Sequence, residues 1–162
     1  MIGDQRERSQ RSFRIAGAAD CRPITVRSKA VVTYADTADG VSPSDLDGFF
    51  VGWPSAPTRE RRLSLLQQSD AVALAFDGAS LVGFATAISD GVLAGFIPFL
   101  EVLPEHQGQG IGSRLIERLL GQLDDLYMVD VVCDAALERF YARFGFTTLD
   151  RGMGLRRRDR IR

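Results

Sequence analysis

Apolar positions along this chain recur with two periods, and the period assigns most of the elements. Residues 1–22 are polar and arginine-rich with little periodicity, and read as a tail without a fixed fold. Ile24 to Ala35, ITVRSKAVVTYA, is rich in Val, Ile and Thr and predicts a strand. A short helix is expected from Ser44 to Phe50, with Ser44 as its N-cap, until VGWP breaks it. Thr58 to Gln68 predicts a second helix with Leu63 and Leu66 turned inward. Ala71 to Phe76 and Ser80 to Ile88 read as two strands joined by the hairpin turn Asp77-Gly78. Ser89-Asp90-Gly91 turns the chain again into Ala94 to Leu103, AGFIPFLEVL. That run is almost wholly apolar, as a strand buried on both faces should be. Pro98 within it lacks a ladder donor and predicts a bulge or a break in pairing.

The second half changes period. Ile111, Leu115, Ile116, Leu119, Leu120 and Leu123 fall on one helical stripe. Tyr127 to Cys133 is the next strand. Asp134 is placed to cap a helix from Ala135 to Phe144, with Gly145 at its end and with Phe140 and Phe144 on the core side. Phe146 to Leu149 predicts a late strand, with Gly152 to Leu155 as its continuation. The order is strand, two helices, three strands, helix, strand, helix, strand. This is an α/β pattern in which an antiparallel meander feeds a βαβ unit. It places one domain over residues 23–155 and a charged tail over 156–162.

Composition adds exclusions. The 162 residues suit one domain, and 45% hydrophobic and 25% charged is an ordinary globular balance. A formal net charge of -1 supplies no overall field for nucleic acid or an anionic membrane. Lys29 is the only lysine. The only cysteines, Cys21 and Cys133, make no disulfide framework, and the single histidine, His106, leaves no zinc set. No apolar run approaches a membrane span. The expectation is a reduced, cytoplasmic protein with no metal, no nucleic acid and no membrane partner.

The chemistry concentrates in EHQGQGIG, residues 105–112, between the apolar strand and the amphipathic helix. A glycine-rich loop opening a helix presents unpaired N–H groups and partial positive charge, which suits a phosphate. A nucleoside triphosphate would need a lysine here, and there is none. A dinucleotide would need a glycine where Ser113 stands, although Asp130 lies about twenty residues on as that reading requires. Coenzyme A is the third ligand.

Gln107-Gly108-Gln109-Gly110-Ile111-Gly112 matches Q/R-x-x-G-x-G/A, the acyl-CoA motif of the GNAT superfamily of N-acetyltransferases, and VLPEHQGQGIGSRLIERLL resembles that motif through its length. ALERFYARFGF resembles the second signature of the family, about thirty residues on. The resemblance covers roughly residues 24 to 150. It implies a central mixed sheet of about six to seven strands, a meander followed by a splayed parallel pair, flanked by about four helices. It implies acetyl-CoA as cosubstrate, with the pyrophosphate on the N–H groups of Gln107, Gly108, Gln109, Gly110, Ile111 and Gly112, and Ser113 nearby. The pantetheine arm would lie between Phe96–Leu103 and Tyr127–Cys133, with Val102 contributing backbone.

Direct transfer to an amine, as the resemblance implies, needs a base, an oxyanion donor and a donor to the departing thiolate. Tyr141 of the second signature is the candidate for the thiolate, against packing beside Phe140. Glu101, the only charge between Ala94 and Leu103, is the candidate base, against a glutamate bonded to backbone N–H groups or an arginine. The oxyanion donor is expected at the backbone N–H of Val102 or Leu103. Phe49, Phe50 and Trp53 fall where the resemblance places the acceptor, with core packing as the alternative. Asp90 and Asp134 are acceptor candidates set against turn and cap roles, and Cys133 against a buried small residue. His106 reads as a solvated loop residue. The function expected is acetyl transfer to a small-molecule amine. The alternatives are a non-catalytic acyl-CoA sensor and a protein N-terminal or lysine acetyltransferase, and a homodimer is left open.

Overall fold

The computed structural model describes residues 31–50 and 52–149. Five strands form one sheet in the order β1 Val32–Ala35, β2 Ala71–Asp77, β3 Ser80–Ser89, β4 Ala94–Val102 and β5 Met128–Val131. The first four pair antiparallel and β4 pairs parallel with β5, so the meander and the βαβ unit are both present. Three α-helices accompany it: α1 Arg59–Gln68, α2 Ile111–Gln122 and α3 Glu138–Ala142.

The two faces of the sheet carry two cores. Ile111, Leu115, Ile116 and Leu119 of α2 bury against Ala73, Ala75, Val82, Ala85 and Ile97. Small residues on β2 and β3 let that helix lie close. On the other face, Leu66 of α1 joins Leu46, Phe49, Phe50, Leu74 and Phe84. Each large side chain removed from water in this way contributes about 1.5–3 kcal/mol.

Between Thr86 and Ile88 the β3–β4 register slips, so that Ile97 and Pro98 of β4 stand opposite Ala87 alone. This is the bulge that Pro98 predicts. Parallel pairing with β5 ends at Ile97↔Val131, one residue before that proline. From Pro98 to Val102, β4 therefore continues with β3 on one side and, among the described residues, no strand on the other.

Several elements differ from expectation. The first strand is Val32–Ala35, and residues 24–30 of the expected strand lie outside the described residues, as do both tails and Gly152–Leu155. The helix expected from Ser44 to Phe50 is a single 3-10 turn, Pro43–Leu46, capped by Ser42. Asp45 Oδ2 accepts from Ser42 N and Oγ, both at 2.8 Å, and left-handed backbone at Gly48 (φ 83°) and Phe50 (φ 64°) stops any extension. The helix expected from Ala135 to Phe144 divides into a 3-10 turn, Ala135–Leu137, and α3. Phe146–Leu149 is not a strand. The Phe146 ring packs edge-on against Tyr141 at 5.6 Å and Thr148 Oγ1 donates to Glu138 Oε1 at 2.9 Å, which holds the segment against α3. Among the described residues the sheet thus has five strands where six to seven are expected.

Candidate active site

The glycine loop begins where β4 ends. A 3-10 turn, Pro104–His106, carries the chain out of the sheet, and His106 Nε2 meets Asp77 Oδ2 of the β2–β3 hairpin at 3.3 Å. Gly108 (φ 72°) and Gly110 (φ 84°) then occupy the left-handed region, which a side chain disfavours. At Gly112 a Cβ would make only ordinary van der Waals contacts, 3.8 Å from Phe140 and Val102. Backbone conformation accounts for Gly108 and Gly110, and nothing among the described residues requires a glycine at Gly112.

This path has an electrostatic consequence. The N–H groups of six consecutive residues, Gly108 to Ser113, have no acceptor among the described residues, and they open a twelve-residue helix. Unpaired N–H groups at a helix N-terminus form a site for an anion. Arg143 of the turn after α3 donates to Ser113 Oγ at 3.2 Å while its guanidinium stacks on Phe140 and Phe144, at 5.1 and 5.7 Å from the ring centroids. It brings a cation to the same place. Sequence reasoning passed over Arg143, although it stands inside FYARFGF.

Beside the loop lies the fork between β4 and β5. Leu103 N donates to Val82 O at 2.9 Å, so its N–H is already engaged and is not the expected oxyanion donor. Alternation along an antiparallel strand then turns the peptide groups of Glu101 and Phe99 toward β3, and those of Val102 and Leu100 toward the fork. Val102 O accepts from Gln107 Nε2 at 2.9 Å, which ties the loop to the rim of the fork. Leu100, which the spacing in sequence does not single out, joins the expected Val102 as a backbone donor position.

Tyr141 is buried on the α2 face, with Phe140 edge-on at 4.9 Å. Burial first, and the nearby Cys133 second, push its phenol up to about 12, so the hydroxyl stays protonated and is a donor. No protein group among the described residues takes that hydrogen bond. Cys133 itself is exposed, contrary to the expectation of a buried small residue, because β5 ends at Val131 and the chain leaves the sheet before reaching it.

Glu101 lies on the other face, half-buried. Its Oε2 accepts from Phe50 N at 2.6 Å. Burial raises its carboxyl, and the Phe50 N–H and the Arg62 charge only partly offset this. Phe50 is the one non-glycine among the described residues with positive φ. Such a backbone costs on the order of 1–3 kcal/mol and persists where the surroundings enforce it. Here Glu101 holds the N–H, and Phe84, Phe99, Trp53 and Arg62 enclose the ring. Phe49 packs on Phe84 at 5.1 Å and is fully enclosed.

The remaining candidates are dispersed. Asp90 sits at the opposite end of β4 from Glu101. Its Oδ1 accepts from the N–H groups of Val92, Leu93 and Ala94, which lower its carboxyl to about 2 and fasten the turn. Asp134 occupies the N-cap of the 3-10 turn without a side-chain bond, its carbonyl accepting from Leu137 N at 2.8 Å. A cavity of about 420 Å³ lies at the far end of the sheet, beside Asp36, Asp70 and Gln122, away from loop, fork and tyrosine.

Residues 39–146 match the acetyltransferase (GNAT) family. The chain belongs to the GNAT family. It is 42% identical to a candidate acetyltransferase from Deinococcus radiodurans R1, over 82% of this chain and 93% of that one, with a TM-score of 0.77. It is 28% identical over 103 residues to the uncharacterized N-acetyltransferase ycf52 of Gracilaria tenuistipitata var. liui, covering 60% of this chain and 57% of that protein. It is 30% identical over 108 residues to the histone acetyltransferase TAP1 of Glycine max, covering 59% and 47%. The chain spans about half the length of these curated relatives. For a GNAT chain the loop, the fork and Tyr141 are the features that bear on the donor. The six N–H groups with Arg143 fit a pyrophosphate, and the open peptide group of Leu100 and the N–H of Val102 fit an extended amide-bearing arm. Among the described residues no three His, Cys, Asp or Glu side chains gather as a metal-ligand set, and no helix is long and apolar enough to cross a membrane.

Proposed function

We propose that this protein transfers an acetyl group from acetyl-CoA to the primary amine of a small molecule, in the cytoplasm. The array of six unengaged N–H groups at the start of α2, opening beside the β4–β5 fork, carries the reading. Gly108, Gln109, Gly110, Ile111, Gly112, Ser113 and Arg143 hold the pyrophosphate, whereas the Gln107 N–H, expected to join them, is engaged with Pro104 O and its side chain ties the loop to the fork. Leu100 and Val102 hold the arm. Glu101 takes the proton released as the amine nitrogen bonds to the thioester carbonyl carbon, and Tyr141 donates to the sulfur as the C–S bond breaks. A backbone N–H at the fork, Val102 or Leu100, faces the developing oxyanion. Cys133 is exposed and makes no disulfide among the described residues, which is consistent with a reducing compartment.

Incubation with acetyl-CoA and a panel of amines, following free thiol, tests this. Thermal stabilisation by CoA with no thiol released by any amine would instead favour an acyl-CoA sensor, the role in which Glu101 serves only to hold Phe50.

Glu101 gives a separable prediction. A base must be ionised, and burial lifts this carboxyl, so kcat/KM should fall with acid from above the ordinary carboxylate range. Glu101→Gln is expected to lower kcat about a hundredfold and to abolish that acidic limb. A raised carboxyl pKa contributes stability that is lost as pH rises through it, so the variant should be at least as stable as the parent at neutral pH. Unchanged turnover would remove Glu101 from the chemistry.

A further inference from the structure

One row of side chains on the α1 face of the sheet belongs to neither core. Cross-strand partners share a face, so Ile88, Phe96 and Asp130 form one row, Thr86 and Phe99 the next, and Phe84 and Glu101 the third. The packing identifies the face: Phe84 and Phe99 lie with the α1-side core, whereas Val129 and Val131, on either side of Asp130, pack toward α2. Asp130↔Phe96 is the pair next to the last before the fork opens. The Asp130 carboxylate therefore stands at the mouth of the fork, on the face that Glu101 also occupies.

The rest of this face is apolar and wet. Ile88 is 49% exposed, Met128, two residues before Asp130, is 47% exposed, and Trp53 is 39% exposed with its ring 5.9 Å from Phe99. Large apolar groups left together in water mark a surface that takes a ligand. Beside Phe99, the fully buried Thr86 hydroxyl has no partner among the described residues. Carboxylates beside exposed aromatic rings select a cation, because both the charge and the ring faces attract it. Ring faces offer a hydroxyl or amide group no full hydrogen bond in exchange for its water, so they favour an apolar body.

We propose that this face is the acceptor subsite and that its substrate class is a small primary amine with an apolar, aromatic body, a proposal that rests on the transferase reading above. Asp130 is a positioning residue whose charge draws the ammonium to the fork, where Glu101 takes its proton, and Phe96, Phe99 and Trp53 cover the body.

The full chain is assayed by thiol release from acetyl-CoA with 2-phenylethylamine, ethanolamine and a lysine-containing hexapeptide. kcat/KM for 2-phenylethylamine should exceed the other two by about tenfold or more. Asp130→Asn should raise its KM about tenfold while kcat stays within about twofold, and Phe96→Ala should erase the preference. Trp53 is the only tryptophan of the chain, so its fluorescence reports occupancy without turnover. In the presence of CoA, 2-phenylethylamine should change that fluorescence saturably and ethanolamine should not. Equal kcat/KM for all three amines, a preference for the peptide, or an Asp130→Asn variant with unaltered KM would overturn the proposal and leave the transferase reading intact. Saturable fluorescence change with no thiol release from any amine would overturn the transferase reading while upholding the apolar-amine site. Silence in both measurements overturns both.

Discussion

Tyr141→Phe should lower kcat about a hundredfold while CoA binds as before, since a positioned proton donor contributes about 10²–10⁴ in rate. The change removes one oxygen and keeps the ring, which Phe140 and Phe146 hold edge-on at 4.9 and 5.6 Å. The hydroxyl has no protein partner among the described residues, so no buried acceptor is orphaned and the melting temperature should stay level or rise. The phenol, pushed up to about 12 by burial, remains protonated through any pH at which the protein is assayed. Its loss should therefore depress the whole pH–rate profile without moving the acidic limb assigned to Glu101. A donor whose thiol leaves readily as the thiolate needs less help, so an activated aryl thioester of acetate should lose less than acetyl-CoA does. Full activity of the variant with acetyl-CoA would leave Tyr141 as packing.

What could be read from the chain and what could not divides on physical grounds. The α2 stripe and the hairpin at Asp77-Gly78 are local: period and turn chemistry suffice to specify them. The Pro98 bulge was legible because one missing N–H acts on its own strand. The segment after Gly145 was not. Phe146 and Thr148 have strand-like composition, but their partners on α3 are chosen by contacts that no local pattern carries. The same holds for the Ser44–Phe50 stretch, where Phe50 takes a left-handed backbone that is maintained by the Glu101 carboxylate, 51 residues away in sequence, and by rings gathered from three other segments. Site residues followed this rule too. The glycine loop announced itself by spacing, whereas Arg143, Leu100 and Asp130 matter through strand register and docking. Only the fold shows that Leu103 N–H is already engaged with Val82.

Gly110→Val should weaken CoA binding about a hundredfold, by removing from the loop the backbone shape that keeps its N–H groups aligned. Nothing lies within 4 Å of a Cβ at this position, so the variant introduces no collision. The effect comes from φ 84°, where a β-branched residue is a severe outlier costing on the order of 1–3 kcal/mol. The loop relieves that cost by rotating the peptides on either side of residue 110, which turns two of the six N–H groups away from the anion. Hydrogen bonds to a charged group are worth about 1.5–3 kcal/mol each, so losing two removes about 3 kcal/mol, or about two powers of ten in Kd. A control separates strain from site. Gly40, in the turn after β1 at the far end of the sheet, has φ 80° and equally open surroundings. Gly40→Val should lower the melting temperature by a comparable amount and leave CoA affinity untouched. Calorimetric titration of both variants with CoA decides the matter: equal affinities would mean that the loop does not hold the pyrophosphate, whatever its glycines do for the fold.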